Sequence, residues 1–329
     1  MSDSVEGGVA VFRLEPVFKD YLWGGEKLRE RFNKRSAPAP LAESWELSSH
    51  PDGDCVIADG PFAGRRLSEY LVRHPEALGC RATPGAGLSV IIKLIDARED
   101  LSVQVHPGDL HAAPSGARGK TEMWHVLDCE PGACLYCGFE ARISEEELRA
   151  RIEYGTLQDA LHRVYVEPGD SVFISAGTVH AIGSGIVLAE IQQSSNTTYR
   201  LYDYGRIGPD GRRRPLHIEE ALAVAERGPA NIEPPGGEPP AALPGGVIER
   251  LVSCPYFTVD LLSLSGRHDR PVGVDSFLSV LCLEGDALLD DGERRLEIVA
   301  GDSLFVPAVE GHLMFDGEAS LLLTGAGSD

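Results

Sequence analysis

Positive charge is scarce in this chain of 329 residues, which has 30 lysines and arginines against 51 aspartates and glutamates. The formal net charge of −21 disfavours nucleic acid and anionic membranes as partners, because both need a basic surface. Long hydrophobic runs are also missing, since no segment approaches the roughly 20 apolar residues of a membrane helix. The N-terminus has Asp3 and Glu6 and no apolar run, unlike a signal peptide. We therefore expect a cytoplasmic protein.

The cysteines do not form a disulfide framework, because seven is an odd number and fits a reducing compartment. Cys129, Cys134 and Cys137 have a C-x4-C-x2-C spacing that is found in some iron–sulfur proteins. They lack a convincing fourth ligand and lie in a segment that predicts strands. A packing role is therefore favoured over a cluster.

The remaining composition is that of an ordinary globular protein, and the length allows two domains. Short alternating segments predict a mainly β chain with helices near residues 67–78, 143–161 and 216–226. Ser144, followed three residues later by Glu147, predicts a capping box at the start of the second helix. A stretch rich in proline and glycine predicts a linker over residues 227–246.

An internal repeat connects the two parts of the chain. Residues 167–182 and 299–315 each contain a Gly-Asp turn, an apolar strand, a turn of small residues and a histidine, which is His180 or His312. Two copies of one strand–turn–strand unit indicate a duplicated β-barrel domain. The second copy has no Gln-x-His or His-x-His segment, so we expect it to be structural and to hold no metal.

Residues that could bind a metal ion are concentrated between positions 101 and 182. Gln104 and His106 are two apart, as are Lys120 and Glu122, so each pair projects from one face of a predicted strand. Together with His180 they offer two imidazoles, a carboxylate and an amide oxygen, which suit zinc or a similar divalent ion. The sequence therefore predicts an open metal site.

A lysine interrupts the apolar run at residues 88–97. Lys93 lies in the middle of this predicted buried strand, where its charge is costly unless it is paired or faces a polar cavity. By contrast, His125 alternates away from Glu122 and is expected to pack on the outer surface.

The Gly-Asp turn before GTVH, with QVH and a glutamate upstream, resembles the cupin superfamily of small jelly-roll barrels. Six segments make the chain similar to the type I mannose-6-phosphate isomerases in their short bacterial form: YLWGG (21–25), ESWELSSHP (43–51), LSVQVHP (101–107), GKTEMWHVL (119–127), GTVHAIG (177–183) and QQSSNTTYRLYDYGR (192–206). The resemblance covers residues 8–225 densely and the rest by pattern and length. It implies two cupin-type jelly-roll barrels with helical insertions, a catalytic domain over 1–226, and a degenerate cupin domain over 247–329.

The resemblance also implies the residues of the site. One Zn²⁺ per chain would be bound by Gln104, His106, Glu122 and His180. Ser102 and Lys93 would bind the substrate phosphate, and Lys120, Glu190 and Arg200 would be the catalytic groups. Alternatives remain for several of them. Gln104 could contact a metal ligand instead of the metal, and Lys120 could only neutralise Glu122 or hold the phosphate. Glu190 could orient Arg200 or a zinc ligand, and Arg200 could form a salt bridge with Asp203 or Glu190.

The implied activity is the interconversion of mannose 6-phosphate and fructose 6-phosphate through an enediol. The alternatives are an isomerase of a related sugar phosphate and a sugar-binding or regulatory cupin without turnover. We expect a small-molecule sugar phosphate as the partner, no nucleic acid or membrane, and a monomer or weak homodimer.

Overall fold

The computed structural model describes residues 9–35, 37–83, 85, 87–208 and 211–327. The fold is mainly β, as predicted. The strands before residue 226 are β1 (Phe12–Glu15), β2 (Val17–Lys19), β3 (Glu43–Leu47), β4 (Ser49–His50), β5 (Gly53–Asp54), β6 (Val56–Ile57), β7 (Val90–Ala97), β8 (Val103–Val105), β9 (Glu122–Cys129), β10 (Cys134–Phe139), β11 (Leu161–Tyr165), β12 (Ser171–Ile174), β13 (His180–Ile182), β14 (Ile186–Gln193) and β15 (Tyr199–Tyr202). The later strands are β16 (Glu238–Leu243), β17 (Gly246–Ser253), β18 (Phe257–Val272), β19 (Leu278–Asp290), β20 (Arg295–Val299), β21 (Ser303–Val306) and β22 (Gly311–Ala326).

The helices are short and lie between the strands. The α helices are α1 (Lys27–Arg31), α2 (Leu67–Arg73), α3 (Asp109–Ala112), α4 (Glu145–Tyr154) and α5 (Ile218–Val224). Single 3₁₀ turns occupy Gly60–Phe62, Pro75–Leu78, Ala113–Ser115 and Leu157–Ala160. The predicted N-terminus of α4 is confirmed, because Ser144 Oγ accepts a hydrogen bond from the backbone N–H of Glu147 at 3.1 Å. In the part of the chain that the structure describes, no helix has the length and apolarity to cross a bilayer.

Two antiparallel sheets face each other in the first part of the chain. One has the strand order β12-β9-β14-β7-β3-β2 and the other the order β11-β10-β13-β8-β15. Ile95 and Leu188 of the six-stranded sheet share a buried cluster with Leu135 and Ile182 of the five-stranded sheet. Apolar side chains therefore fill one end of the space between these two sheets. The candidate site also lies in the space between the sheets.

The second part of the chain packs on the outer face of the six-stranded sheet. Ile92 and Ile191 of that sheet belong to one buried cluster with Phe257 and Phe305 of the later strands. β7 and β14 are consequently buried on both faces, which explains the continuous apolar sequence around Lys93. Burial of the later strands against the first part agrees with the structural role predicted for them.

The later strands form a nine-stranded sheet of order β16-β17-β18-β22-β19-β21-β1-β6, with β20 paired to β19. Its last two members come from the N-terminal part, since Phe12 of β1 is in register with Phe305 of β21. β1 and β6 therefore belong to the sheet of the later strands, although the sequence placed them in a domain over residues 1–226. A four-residue strand carries no sequence signal for the sheet that it joins.

The linker predicted over 227–246 is wrong for residues 238–243, which form β16. This strand pairs with β17 and lies at the edge of its sheet, where proline is tolerated because an outward-facing N–H has no partner to lose. Residues before it contact the first part through backbone hydrogen bonds, including Phe139 N–H to Gly228 O at 3.1 Å.

The internal repeat appears in the structure as β12–β13 and β21–β22. The glycines of the two Gly-Asp turns, Gly169 and Gly301, have φ values of 100° and 92°. Residues with a Cβ atom rarely adopt such positive φ values. The shared sequence is thus explained by a shared turn. His312 of the second copy is exposed, and its Nδ1 lies 2.9 Å from Asp269 Oδ1.

Candidate active site

Two histidines and a glutamate meet between the facing sheets. His106 follows β8, Glu122 begins β9 and His180 begins β13, and their potential ligand atoms all lie within 4.8 Å of one another. The Nε2 atoms of His106 and His180 are 3.6 and 3.4 Å from different oxygens of Glu122. Each of the three residues is at most 1% exposed. We call these three residues the His–Glu–His group.

Both histidines present Nε2 to the group because Nδ1 is already used. His106 Nδ1 is 2.9 Å from Thr197 O, and His180 Nδ1 is 2.8 Å from Thr178 O. A carbonyl can only accept, so each Nδ1 carries the proton and each Nε2 keeps a free lone pair. Burial lowers the pKa of His180 to about 4 and that of His106 well below its usual value. Both rings are therefore neutral, as metal ligands must be.

Oε1 of the buried Glu122 carboxylate has no hydrogen-bond donor, and Oε2 has the ammonium group of Lys120 beside it. Lys120 Nζ lies 2.8 Å from Oε2 and 3.0 Å from His106 Nε2. Burial raises the pKa of Glu122 to about 7, although Lys120 opposes this effect. A buried carboxylate that has one oxygen without a donor and lies between two neutral imidazoles is costly for a protein alone and fits a divalent cation.

Gln104 lies beside the group on a neighbouring strand. It is in register with His180 across β8 and β13, and its Nε2 is 3.4 Å from His180 Nε2. A 180° rotation of the amide would put the ligand oxygen Oε1 in the same place. The structure thus brings all four predicted metal-binding residues together.

Arg200 lies on the side of Gln104 away from His180, and Ser102 precedes Gln104 by two residues. Arg200 of β15 is in register with Gln104, so the two side chains share a face of the sheet. Arg200 Nε donates to Ser102 Oγ at 3.3 Å and Nη1 donates to Pro215 O at 3.1 Å. The alternative pair between Arg200 and Asp203 is not formed, because Asp203 binds Arg214 through both oxygens.

Lys93 and Glu190 form a buried ion pair on the opposite sheet. Lys93 Nζ is 2.8 Å from Glu190 Oε1, and both side chains are 5% exposed. Burial opposes the charge of Glu190, but Lys93 and Lys120 prevail and lower its pKa to about 2. The charge of Lys93 is therefore paired, as its place in an apolar strand requires. Its role in phosphate binding stays a prediction.

The prediction of a surface position for His125 is wrong, and the sequence pattern gave no role to Trp124, which lies on the same strand face as Glu122. His125 does point away from Glu122, but it is only 4% exposed and its Nδ1 is 2.9 Å from Ser171 Oγ. Met123 on the same face packs in the core shared with the later strands, so this face is covered. Trp124 is fully buried and its Nε1 donates to Glu190 Oε2 at 3.0 Å. Its position two residues after Glu122 was the available signal.

The cysteines with iron–sulfur spacing remain free thiols in β9 and β10. Within the described ranges, the His–Glu–His group is the one cluster of at least three histidine, cysteine, aspartate or glutamate side chains whose ligand atoms are close enough to share a metal ion.

Facing antiparallel sheets with a buried His–Glu–His group at their strand ends define a cupin-type protein with a candidate metal site. Two family descriptions match the sequence: phosphomannose isomerase type I, catalytic domain, at residues 11–122, and mannose-6-phosphate isomerase, cupin domain, at residues 247–324. The chain belongs to the type I mannose-6-phosphate isomerase family.

Relatives of similar length support this assignment. The probable mannose-6-phosphate isomerase GmuF of Bacillus subtilis is 36% identical over 313 residues, which cover 94% of this chain and 98% of GmuF. The mannose-6-phosphate isomerase of Streptococcus mutans is 36% identical over 303 residues, which cover 92% of this chain and 93% of that protein. The crystal structure of the mannose 6-phosphate isomerase from Bacillus subtilis superimposes with a TM-score of 0.89 at 33% identity, covering 97% of this chain and 99% of that one.

Proposed function

We propose that the protein is a zinc-dependent isomerase that interconverts mannose 6-phosphate and fructose 6-phosphate through an enediol. The observation that carries the proposal is the buried carboxylate of Glu122, which has no donor to Oε1 and lies between two neutral imidazoles, with Arg200 in register with the neighbouring Gln104. The names of the relatives supply mannose 6-phosphate, and fructose 6-phosphate is the ketose that an aldose–ketose isomerisation forms from it.

This reaction moves a proton between C1 and C2 of the sugar. It needs a base, stabilisation of the developing oxyanion, a proton relay between the two oxygens and a group that holds the phosphate. A divalent ion held by Gln104, His106, Glu122 and His180 would supply electrophilic stabilisation of the sugar oxygens. A single carboxylate among these ligands leaves the site with a net positive charge.

The charged residues around this group have distinct tasks in the proposal. Arg200 keeps its charge at every relevant pH and can stabilise an enediolate without competing for its proton. Lys120, beside His106, and Glu190 are the candidates for moving the proton. Ser102, which accepts from Arg200, is the proposed phosphate-binding hydroxyl. The family resemblance adds Lys93 to the phosphate site, although its ammonium group is bound to Glu190.

Incubation of the purified protein with fructose 6-phosphate tests the proposal. We expect mannose 6-phosphate as the product, loss of turnover in chelator, and recovery with added zinc. No turnover with intact metal binding would favour a sugar-binding or regulatory cupin. A different aldose phosphate as product would favour an isomerase of a related sugar phosphate.

Two further points of the proposal rest on sequence alone. The odd cysteine count supports a cytoplasmic location. Association as a monomer or weak homodimer is a prediction that sedimentation can test.

A further inference from the structure

We infer that Lys93 and Trp124 are positioning residues that hold the carboxylate of Glu190 in one orientation, and that Lys93 does not bind the substrate phosphate. This inference rests on the proposed function, because Glu190 is one of its catalytic candidates. Trp124 has no assigned role, and Lys93 receives a role different from the one that the family resemblance implies.

Both oxygens of Glu190 are occupied. Lys93 Nζ is 2.8 Å from Oε1, and Trp124 Nε1 donates to Oε2 at 3.0 Å. The three residues lie in one row across the sheet, since Glu190 of β14 is in register with Trp124 of β9 on one side and Lys93 of β7 on the other. Residues in such a row share a face, so the contacts follow from the strand register.

The carboxylate beside Lys93 limits what its ammonium group can bind. Lys93 and Glu190 are each 4% exposed, and Trp124 is not exposed at all. A phosphoryl group that bound another N–H of Nζ would lie next to the Glu190 carboxylate, whose Oε1 is 2.8 Å from the same Nζ. Two anions held so close together in a buried site repel each other strongly. Ser102 is equally buried, but its Oγ is hydrogen-bonded to Arg200 and Gln104 rather than to a carboxylate, so a phosphoryl group beside it meets no such repulsion.

Trp124 also contacts the His–Glu–His group. Its ring lies 5.5 Å from the ring of His180, centroid to centroid, at an interplanar angle of 73°. One indole therefore touches both a candidate metal ligand and Glu190, and fixes the distance between them. Replacement by phenylalanine keeps an aromatic ring at this position and removes the donor to Glu190 together with part of the indole volume, so its control must lose the same volume.

The first experiment compares Trp124→Phe with Trp45→Phe. Trp45 is equally buried, its N–H donates to Glu43 Oε2 at 2.7 Å, and phenylalanine keeps the ring that faces Lys93. We expect Trp124→Phe to lower kcat about tenfold to a hundredfold, with KM and metal content unchanged, because a hydrogen bond to a charged group is lost. Trp45→Phe should stay near the wild-type kcat. Equal losses of kcat in both variants would overturn the role of Trp124.

The second experiment asks whether Trp124 acts through Glu190. In a Glu190→Ala background, Trp124→Phe should produce no further loss of kcat, because the acceptor of its hydrogen bond is gone. Multiplicative losses in the double variant would show that Trp124 acts elsewhere.

The third experiment separates the two roles of Lys93. We expect Lys93→Met to lower kcat while KM and competitive inhibition by inorganic phosphate stay unchanged, and Lys93→Arg to restore part of kcat. A raised KM with weakened phosphate inhibition would show that Lys93 binds phosphate and would overturn this part of the inference.

A measurement without turnover keeps the inference testable on its own. The urea midpoints of wild type, Trp124→Phe, Glu190→Ala and the double variant should be non-additive if the indole and the carboxylate are coupled. Additive midpoints would contradict the inference even in an active enzyme. An inactive wild-type protein with non-additive midpoints would contradict the proposed function and leave the coupling intact.

Discussion

Replacement of Lys34 by methionine should destabilise the protein far more than loss of a surface ion pair. Lys34 Nζ is 2.9 Å from Glu46 Oε2 and donates to Gly301 O at 2.6 Å, with side-chain exposures of 7% for Lys34 and 0% for Glu46. Ser303 Oγ donates to the backbone oxygen of Glu46 at 2.8 Å. This buried network connects the part of the chain that holds the His–Glu–His group to the second copy of the repeat.

The expected size follows from what the variant leaves behind. Without the ammonium group, the Glu46 carboxylate keeps only the Ser44 hydroxyl at 2.6 Å, and Gly301 O loses its side-chain donor. Removing one partner of a buried pair costs about 3–5 kcal/mol in the free energy of unfolding. The matched control is Lys27→Met, since Lys27 lies 2.8 Å from Asp128 with both side chains about one-third exposed. Loss of this exposed ion pair should lower the free energy of unfolding by about 0–1 kcal/mol.

Urea unfolding of both variants measures the difference, and its pH dependence identifies the cause. Burial raises the pKa of Glu46, and loss of Lys34 removes an opposing effect. A carboxyl whose pKa is raised in the folded state favours folding at low pH and loses that contribution as pH rises. The deficit of Lys34→Met should therefore be largest at pH 8 and shrink toward pH 5. Equal and pH-independent losses in the two variants would refute this explanation.

Three further predictions concern the site and its surroundings. His106→Ala or His180→Ala should lose bound metal and activity, and full metal content by elemental analysis in both variants would contradict the ligand assignment. Arg200→Ala should lower kcat about a hundredfold, or roughly 3 kcal/mol, with little change in KM or metal content; steady-state kinetics with only a raised KM would indicate phosphate binding instead. Burial lowers the pKa of His125 from 6.5 to about 4, so its neutral form stabilises the fold fully above pH 6.5 and this contribution is lost as pH falls toward 4. Between pH 7 and pH 5 the free energy of unfolding of the wild type should therefore fall by about 2 kcal/mol more than that of His125→Gln. Free energies from urea unfolding that fall equally with pH in both proteins would disprove this.

The sequence predicted the parts of the site that depend on local strand geometry. Gln104 and His106 are two residues apart, as are Lys120 and Glu122, and residues two apart on a strand point to the same face. This period was enough to select the side chains that face inward. The position of Lys93 in an apolar strand likewise predicted that its charge would be paired.

Other features depend on the register between distant strands, which the sequence does not show. Lys93 pairs with Glu190 only because β7 lies beside β14. Similarly, β1 belongs to the later sheet because it pairs with the strand that contains Phe305. His125 was predicted to be on the surface because the later strands that cover its sheet face lie far along the chain.

Zinc titration of the metal-free protein is the most direct test of a metal-dependent isomerase. We expect turnover of fructose 6-phosphate to be absent without metal, to rise in proportion to added zinc, and to reach its maximum at one ion per chain. Full turnover in metal-free protein, or a maximum that requires a second ion lost in His312→Ala, would contradict a single catalytic site at His106, Glu122 and His180.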